Sequence, residues 1–267
     1  IQAGVNAVVV LGMSWYVAQQ GGAADRWTDA LVGALVAFVF AVLLPRRVSV
    51  RPRRYAATTL LEFGRTLDLV AKGLRQHDSD AFDEAMVQRR AGWRVYGQFE
   101  EALTTARDVV RLNPTLRADQ PVIEELERLH RLIARAHRSE AMLSRQSRSM
   151  LDEVAEIPEL AEMVRKVGRA TKFLAESVQR WERPTWAREI LIEVAGDTNP
   201  AEIDTQDWRP LALMSLLRAL VVDLLQLTGL SRADARALLP DTRGLRYADP
   251  PSGQPEVNDD ASSAIWG

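Results

Sequence analysis

Residues 26–47 read RWTDALVGALVAFVFAVLLPRR, and this stretch decides between two folds for the start of the chain. Residues 30–44 carry no charge and no side-chain hydrogen-bonding group. A membrane-spanning helix needs about 20 predominantly apolar residues, and the run approaches that length when residues 27–29 and Pro45 are included as interfacial ends. We therefore predict a helix that crosses a membrane, with a buried core helix of a soluble protein as the alternative.

A second apolar segment precedes this one. Residues 1–20 read IQAGVNAVVVLGMSWYVAQQ without a charge, and the short loop GGAADR joins the two segments. Trp15, Tyr16 and Trp27 would lie at one level of a hairpin, like the aromatic belt of membrane proteins. The pattern predicts two transmembrane helices over residues 1–47. Because the chain begins inside its first apolar run, we expect these helices to be the end of a larger membrane bundle.

Charge is distributed unevenly along the chain, although the averages conceal it: the net charge is −2 and the mean hydropathy is −0.15. Residues 46–54 contain a basic cluster made of Arg46, Arg47, Arg51, Arg53 and Arg54. Lys and Arg accumulate in the cytoplasmic loops of membrane proteins, so this cluster predicts that its end of the hairpin lies in the cytoplasm. We expect these arginines to lie against anionic lipid headgroups. The alternative is that they only set the orientation of the hairpin in the membrane.

The chain after Arg54 has helical periodicity and no alternating pattern typical of strands. We predict helices over residues 55–76, 79–112, 120–154, 158–181, 208–228 and 231–239. Ser79 is the predicted N-cap of the second helix, and Gly229 the predicted stop of the fifth. The predicted fold is all-α: a transmembrane hairpin over residues 1–47, then a cytoplasmic antiparallel helical bundle over residues 48–240. Residues 241–267, rich in Pro, Gly, Asp and Ser, are predicted to be disordered.

One segment of the helical part, LALMSLLRALVVDLLQLTG over residues 211–229, resembles a further membrane span. Arg218 and Asp223 would then lie in the middle of the membrane, where charged groups are costly. They share one arc of the helix with Ser215 and Gln226, and the remaining surface is apolar. We predict a helix packed inside the bundle, with a third span as the alternative.

Several kinds of chemistry have no motif in this sequence. The chain has no Cys, which excludes disulfides, thiolate catalysis and cysteine metal ligands. Its three histidines show no metal-binding spacing, and no phosphate-binding loop, nucleophile elbow or nucleic-acid-binding motif occurs. We therefore expect no enzyme activity, no cofactor, no metal site and no nucleic-acid partner.

Polar residues in or beside the predicted hairpin are the candidate functional residues. Asn6 lies in the first predicted span, and Arg26 and Asp29 are three residues apart at the start of the second. A polar residue in a span either joins helices or lines a solute path. Arg26 and Asp29 have a further alternative as a paired cap, because a carboxylate is favourable at a helix N-terminus. We take all three residues as a candidate transport pathway.

The arrangement R-W-x-D-x-x-x-G-x-x-x-A…P-R-R, followed by a long helical domain, resembles the fusaric-acid-resistance and aromatic-acid-exporter family. The residues that carry the likeness are Arg26, Asp29, Gly33 and Pro45, and the likeness is strongest over residues 1–55. The resemblance implies export of aromatic carboxylates or related organic anions across the inner membrane, driven by an ion gradient. In such an exporter Arg26 would attract the anion, and Asp29 would titrate as protons cross.

Two helices cannot enclose a solute path, so further walls are required. The expected partners are the lipid bilayer, a small organic anion, and additional membrane helices from the same protein or from a homo-oligomer. The alternative function is a membrane-anchored helical scaffold, in which the hairpin only tethers an interaction domain.

Overall fold

The computed structural model describes residues 27–36, 48–151, 157–200 and 208–241, and the regular elements in these ranges are all helices. The predicted all-α class is confirmed. The chain divides into two compact units, Ile1–Arg47 and Val48–Gly267. In the first unit the structure describes one apolar helix, α1 (Trp27–Val36). The rest of the predicted hairpin and the predicted disordered tail beyond Asp241 lie outside the described residues.

The described part of the second unit is a bundle of long helices. Its elements are α2 (Val50–Gln76), α3 (Ser79–Leu112), a 3-10 helix (Pro114–Asp119), α4 (Gln120–Met150), α5 (Pro158–Arg180), α6 (Thr185–Asp197), α7 (Trp208–Leu227) and α8 (Arg232–Ala237). Helix α2 packs between α3 and α5, α4 packs against α3 and α7, and α6 packs against α5 and α7. The buried core formed by these helices lies wholly between Ala56 and Leu239. This unit therefore has the hydrophobic core that an independently folding domain requires.

Three local features differ from the sequence-based expectation. Asp78, rather than Ser79, caps α3: its carboxylate accepts hydrogen bonds from the backbone N–H groups of Asp80 (2.9 Å) and Ala81 (3.2 Å). Helix α2 begins at Val50 instead of residue 55, because proline is tolerated in a first helical turn and Pro52 lies there. Helix α6 was not predicted, since it is short and follows a proline. Gly229, with φ of 98°, follows the end of α7 as predicted.

Helix α7 is the one helix of the described ranges that is long and apolar enough to cross a membrane. Of its most apolar 18-residue stretch, 67% is buried in the unit. Asp223 accepts a hydrogen bond from Ser139 Oγ at 2.6 Å, and Gln226 accepts one from Arg135 at 3.2 Å. Arg218 donates to backbone carbonyl oxygens of the same unit. Because these polar groups find partners inside the bundle, their burial is compensated without a membrane. The predicted pair of membrane helices is thus not confirmed by the described residues.

The packing of α2 against α5 depends on two glycines. A Cβ added to Gly64 would lie 2.9 Å from the carbonyl oxygen of Gly168 and 2.7 Å from Cγ of Lys172. A Cβ added to Gly168 would lie 3.2 Å from the carbonyl oxygen of Gly64. The backbones of the two helices therefore approach each other more closely than a side chain at Gly64 allows without a shift, and Gly168 lies in a tight contact.

We expect Gly64→Ala to destabilise the helical unit by about 1–3 kcal/mol, the usual cost of overpacking a rigid contact. Gly97 is the matched control, because it also lies within a helix and a Cβ there meets nothing within 4 Å. Gly97→Ala should stabilise by roughly 0.5–1 kcal/mol through helix propensity alone. Urea unfolding followed by circular dichroism measures both, and equal stability of the two variants would contradict the close approach.

Candidate functional site

The structure describes one of the three candidate transport residues. Asn6 and Arg26 lie outside the described residues, and Asp29 lies in α1 with an exposed side chain. The predicted pairing of Arg26 with Asp29, and the predicted pathway, stay predictions. The sequence signal for Asp29 is its position near the start of an apolar helix.

Helix α1 exposes apolar side chains on all sides. All ten of its residues are exposed, and Trp27, at 73% exposure, is the most exposed of its large side chains. A contiguous apolar surface in water is unfavourable, and such surfaces are typical of segments covered by lipid or by other protein. Helix α1 therefore needs a covering that lies beyond the described residues.

The predicted basic cluster falls at the start of α2. Arg46 and Arg47 lie outside the described residues, whereas Arg51 and Arg53 lie in the first turn of the helix and Arg54 directly follows it. That turn has no acidic residue, and the N-cap side chain makes no capping hydrogen bond. Cations at a helix N-terminus oppose the helix dipole. The arginines thus weaken the start of α2, which indicates that they serve something other than helix stability.

A second unfavourable feature lies at the end of α5. Trp181 is the C-cap residue and has a left-handed backbone conformation, with φ of 61°. Glycine is the usual residue at such a position, and a bulky side chain there is strained. Strain of this kind concentrates at functional positions.

The fold brings these two features together. The guanidinium carbon of Arg53 lies 5.9 Å from the centroid of the Trp181 ring, within the range of a cation–π contact. Helix α6 begins shortly after α5 ends, and its first turn presents Trp186, which is 71% exposed. We call the start of α2 together with the connection from α5 to α6 the basic–aromatic end, because the Arg53–Trp181 contact joins these two segments. Its basic and aromatic residues are Arg51, Arg53, Arg54, Arg180, Trp181, Arg183 and Trp186. Sequence reasoning missed its last four members, which lie far from the basic cluster along the chain.

The positive charge of the basic–aromatic end is not neutralised. None of its five arginines lies within 4.0 Å of a carboxylate of the described residues. In the first half of α5, by contrast, carboxylates pair with the basic residues. The Arg165 guanidinium lowers the pKa of Glu162, and a hydrogen bond to Glu193 raises the pKa of Lys166. Guanidinium groups bind phosphate through charge-assisted hydrogen bonds, and tryptophan favours the headgroup region of a bilayer. This surface suits an anionic lipid headgroup.

The described residues give no support for a metal site. The described residues bring together no group of three or more His, Asp or Glu side chains that could hold a metal ion.

Comparison with known proteins gives one relative and no family. The chain matches no family model and no solved structure. It is 24% identical, over 251 residues, to an uncharacterized protein of Corynebacterium glutamicum. The alignment covers 90% of this chain and 62% of the relative, so the chain spans less than two thirds of the length of that protein.

Proposed function

We propose that this chain is the C-terminal part of an inner-membrane exporter of aromatic carboxylates or related organic anions, with its helical unit in the cytoplasm. The observation that supports the membrane location in this proposal is the basic–aromatic end. It begins in the arginine-rich stretch directly after the apolar run, and the fold extends it with an exposed Trp and further arginines.

The physical basis for the membrane part is the combination of charge and exposed apolar surface. Arginines that follow an apolar segment favour the cytoplasmic side, and each contributes about 1 kcal/mol when it lies near an anionic lipid surface. The exposed side chains of α1 require a nonaqueous covering or further helices. Both requirements are met when residues 1–47 lie in a bilayer as the end of a larger bundle.

The export activity rests on the resemblance of the stretch around Arg26 and Asp29 to aromatic-acid exporters. An arginine and a carboxylate at the start of a span suit attraction of an organic anion and coupling to protons. The chain would then need additional membrane helices, from the same protein or from further copies, to enclose the path.

A membrane-anchored scaffold is the second candidate. The helical unit has its own hydrophobic core, so it can hold a binding surface without any help from the apolar segment. In this case the hairpin would act as a tether, and Asp29 would have no role beyond the helix start.

Transport of a labelled aromatic acid distinguishes the two candidates. Cells that produce the full-length protein should lose preloaded labelled benzoate faster than cells carrying an empty vector, and a protonophore should remove the difference. The amount of protein in the membrane fraction is the control. Equal efflux from both cells, with the protein present in the membrane, would contradict export and favour the scaffold.

A further inference from the structure

A cleft between α3 and α4 lies apart from the basic–aromatic end. Its volume is about 700 Å³, within the usual range for sites that hold a small organic molecule. The residues that define this arginine cleft are Arg89, Arg90, Trp93, Arg94, His137 and Arg138.

The helical spacing explains why these side chains meet. On α3, Arg89 and Trp93 are four residues apart, as are Arg90 and Arg94, so both pairs lie on one side of the helix. Arg138 approaches from α4. The cleft is therefore built from two neighbouring turns of α3 and one turn of α4.

The four arginines of the cleft have no internal counter-charge. None lies within 4.0 Å of a carboxylate of the described residues, and the buried Nε of Arg89 has no hydrogen-bond partner in the protein. Buried polar atoms are normally hydrogen-bonded, and neighbouring like charges repel. An anion bound in the cleft would relieve this repulsion between the guanidinium groups.

A buried carboxylate, that of Glu140, lies beside His137, one of the residues that line the cleft. Oε2 of Glu140 lies 3.3 Å from Nδ1 of His137, and its other oxygen accepts a hydrogen bond from Ser144 at 2.8 Å. Glu140 is buried beside His137 and makes no ion pair with the arginines of the cleft.

The floor of the cleft is aromatic. Trp93, which is 54% exposed, stacks on Tyr96 with ring centroids 5.3 Å apart, and the edge of His137 meets Trp93 at 5.0 Å. Tyr96 in turn stacks on His130. Burial raises the pKa of Tyr96 to about 12 and lowers the pKa of His130, so both rings are neutral at pH 7. Stacked rings hold Trp93 as a flat apolar wall beside the guanidinium groups.

We propose that the arginine cleft binds a planar aromatic anion, whose ring lies against Trp93 and whose carboxylate groups are held by Arg90, Arg94 and Arg138. Guanidinium groups bind carboxylate and phosphate alike. The choice of carboxylate rests on the proposed function. The cleft belongs to the helical unit, so it would collect or sense the anion outside the membrane path.

Isothermal titration calorimetry on the purified full-length chain in detergent tests this site. The probe is benzene-1,3-dicarboxylate, and it should bind saturably, more weakly as salt rises. Cyclohexane-1,3-dicarboxylate has the same charge but no aromatic face, and should bind roughly three- to tenfold more weakly. AMP and inorganic phosphate distinguish a phosphate site. Binding of these two without binding of the dicarboxylate would overturn the proposal.

Variants locate the binding in the cleft. Arg90→Gln, Arg94→Gln and Arg138→Gln together should weaken binding roughly 100-fold or more, because each loses a charge-assisted hydrogen bond. Replacing Arg51, Arg53 and Arg54 with Gln removes the same charge elsewhere and should leave the affinity unchanged. Trp93→Ala should weaken binding while Trp186→Ala does not. Equal affinity of wild type and cleft variants would overturn the site.

Two further measurements keep the test decisive. Circular dichroism reports whether the triple cleft variant is folded; if it is not, Arg94→Gln alone, at an exposed position, should weaken binding about tenfold. Because binding is measured without transport, loss of export leaves this result unaffected, and a failure to bind leaves the export experiment intact.

Discussion

Asp29→Asn in the full-length protein is expected to abolish proton-coupled efflux while the protein still reaches the membrane. If Asp29 only supports the start of α1, in which it is the third residue, Asn should preserve folding, because the lost interaction with the helix dipole is about 0.3–1 kcal/mol. If Asp29 carries protons, its ionisation is indispensable and Asn cannot replace it. Efflux of a labelled aromatic acid, at matched membrane levels of protein, measures the difference.

Asp25→Asn is the matched control for Asp29→Asn. Asp25 lies in the short loop just before the second predicted span, so its replacement removes the same charge nearby. This control should retain efflux. Wild-type efflux from Asp29→Asn would remove Asp29 from the mechanism. Loss of the protein together with loss of efflux would show that Asp29 matters for the stability of the helix start.

Replacing Arg51, Arg53 and Arg54 with Gln should weaken binding of the helical unit to anionic vesicles roughly 100-fold. The reason is that each basic residue near such a surface contributes about 1 kcal/mol, and 1.4 kcal/mol corresponds to a factor of ten. Cosedimentation of residues 48–241 with phosphatidylserine-containing vesicles measures the affinity. Wild type should also bind less at high salt and hardly at all to neutral phosphatidylcholine.

The triple cleft variant serves as the control for this experiment as well. Replacing Arg90, Arg94 and Arg138 with Gln removes the same charge from a different surface. Only the variant of the basic–aromatic end should lose vesicle binding, and Trp186→Ala should lose part of it. A comparable loss in both triple variants would mean that net charge alone drives the association, against a specific lipid-facing surface.

Most of the helices could be predicted because their signals are local. The apolar spacing in α3, α4 and α5 repeats within each segment, and Gly229 ends α7 through its own backbone conformation. Helix α6 gave too weak a signal, since its short buried face depends on contacts with α5 and α7. The cap of α3 was assigned one residue too late, because Asp78 and Ser79 are both good capping residues and only the backbone geometry distinguishes them.

The candidate sites, like the helices, could be predicted only where their signal lies within one stretch of the sequence. The sequence alone marked the basic cluster after the apolar run. It gave no sign that Trp181 would lie beside Arg53, or that Arg138 would face the arginines of α3. These contacts are between residues of separate helices. A pattern that repeats within one segment carries no information about such contacts.

The sequence by itself determined the all-α class, because helical periodicity and capping act over a few residues, and it determined the division into an apolar start and a polar remainder. Only the tertiary structure decided which charges stay unpaired. Lys166 is neutralised by Glu193 and Asp197 of another helix, whereas the arginines of the cleft and of the basic–aromatic end meet no carboxylate in the described residues. Electrostatic pairing depends on distance in space, and helix packing sets that distance.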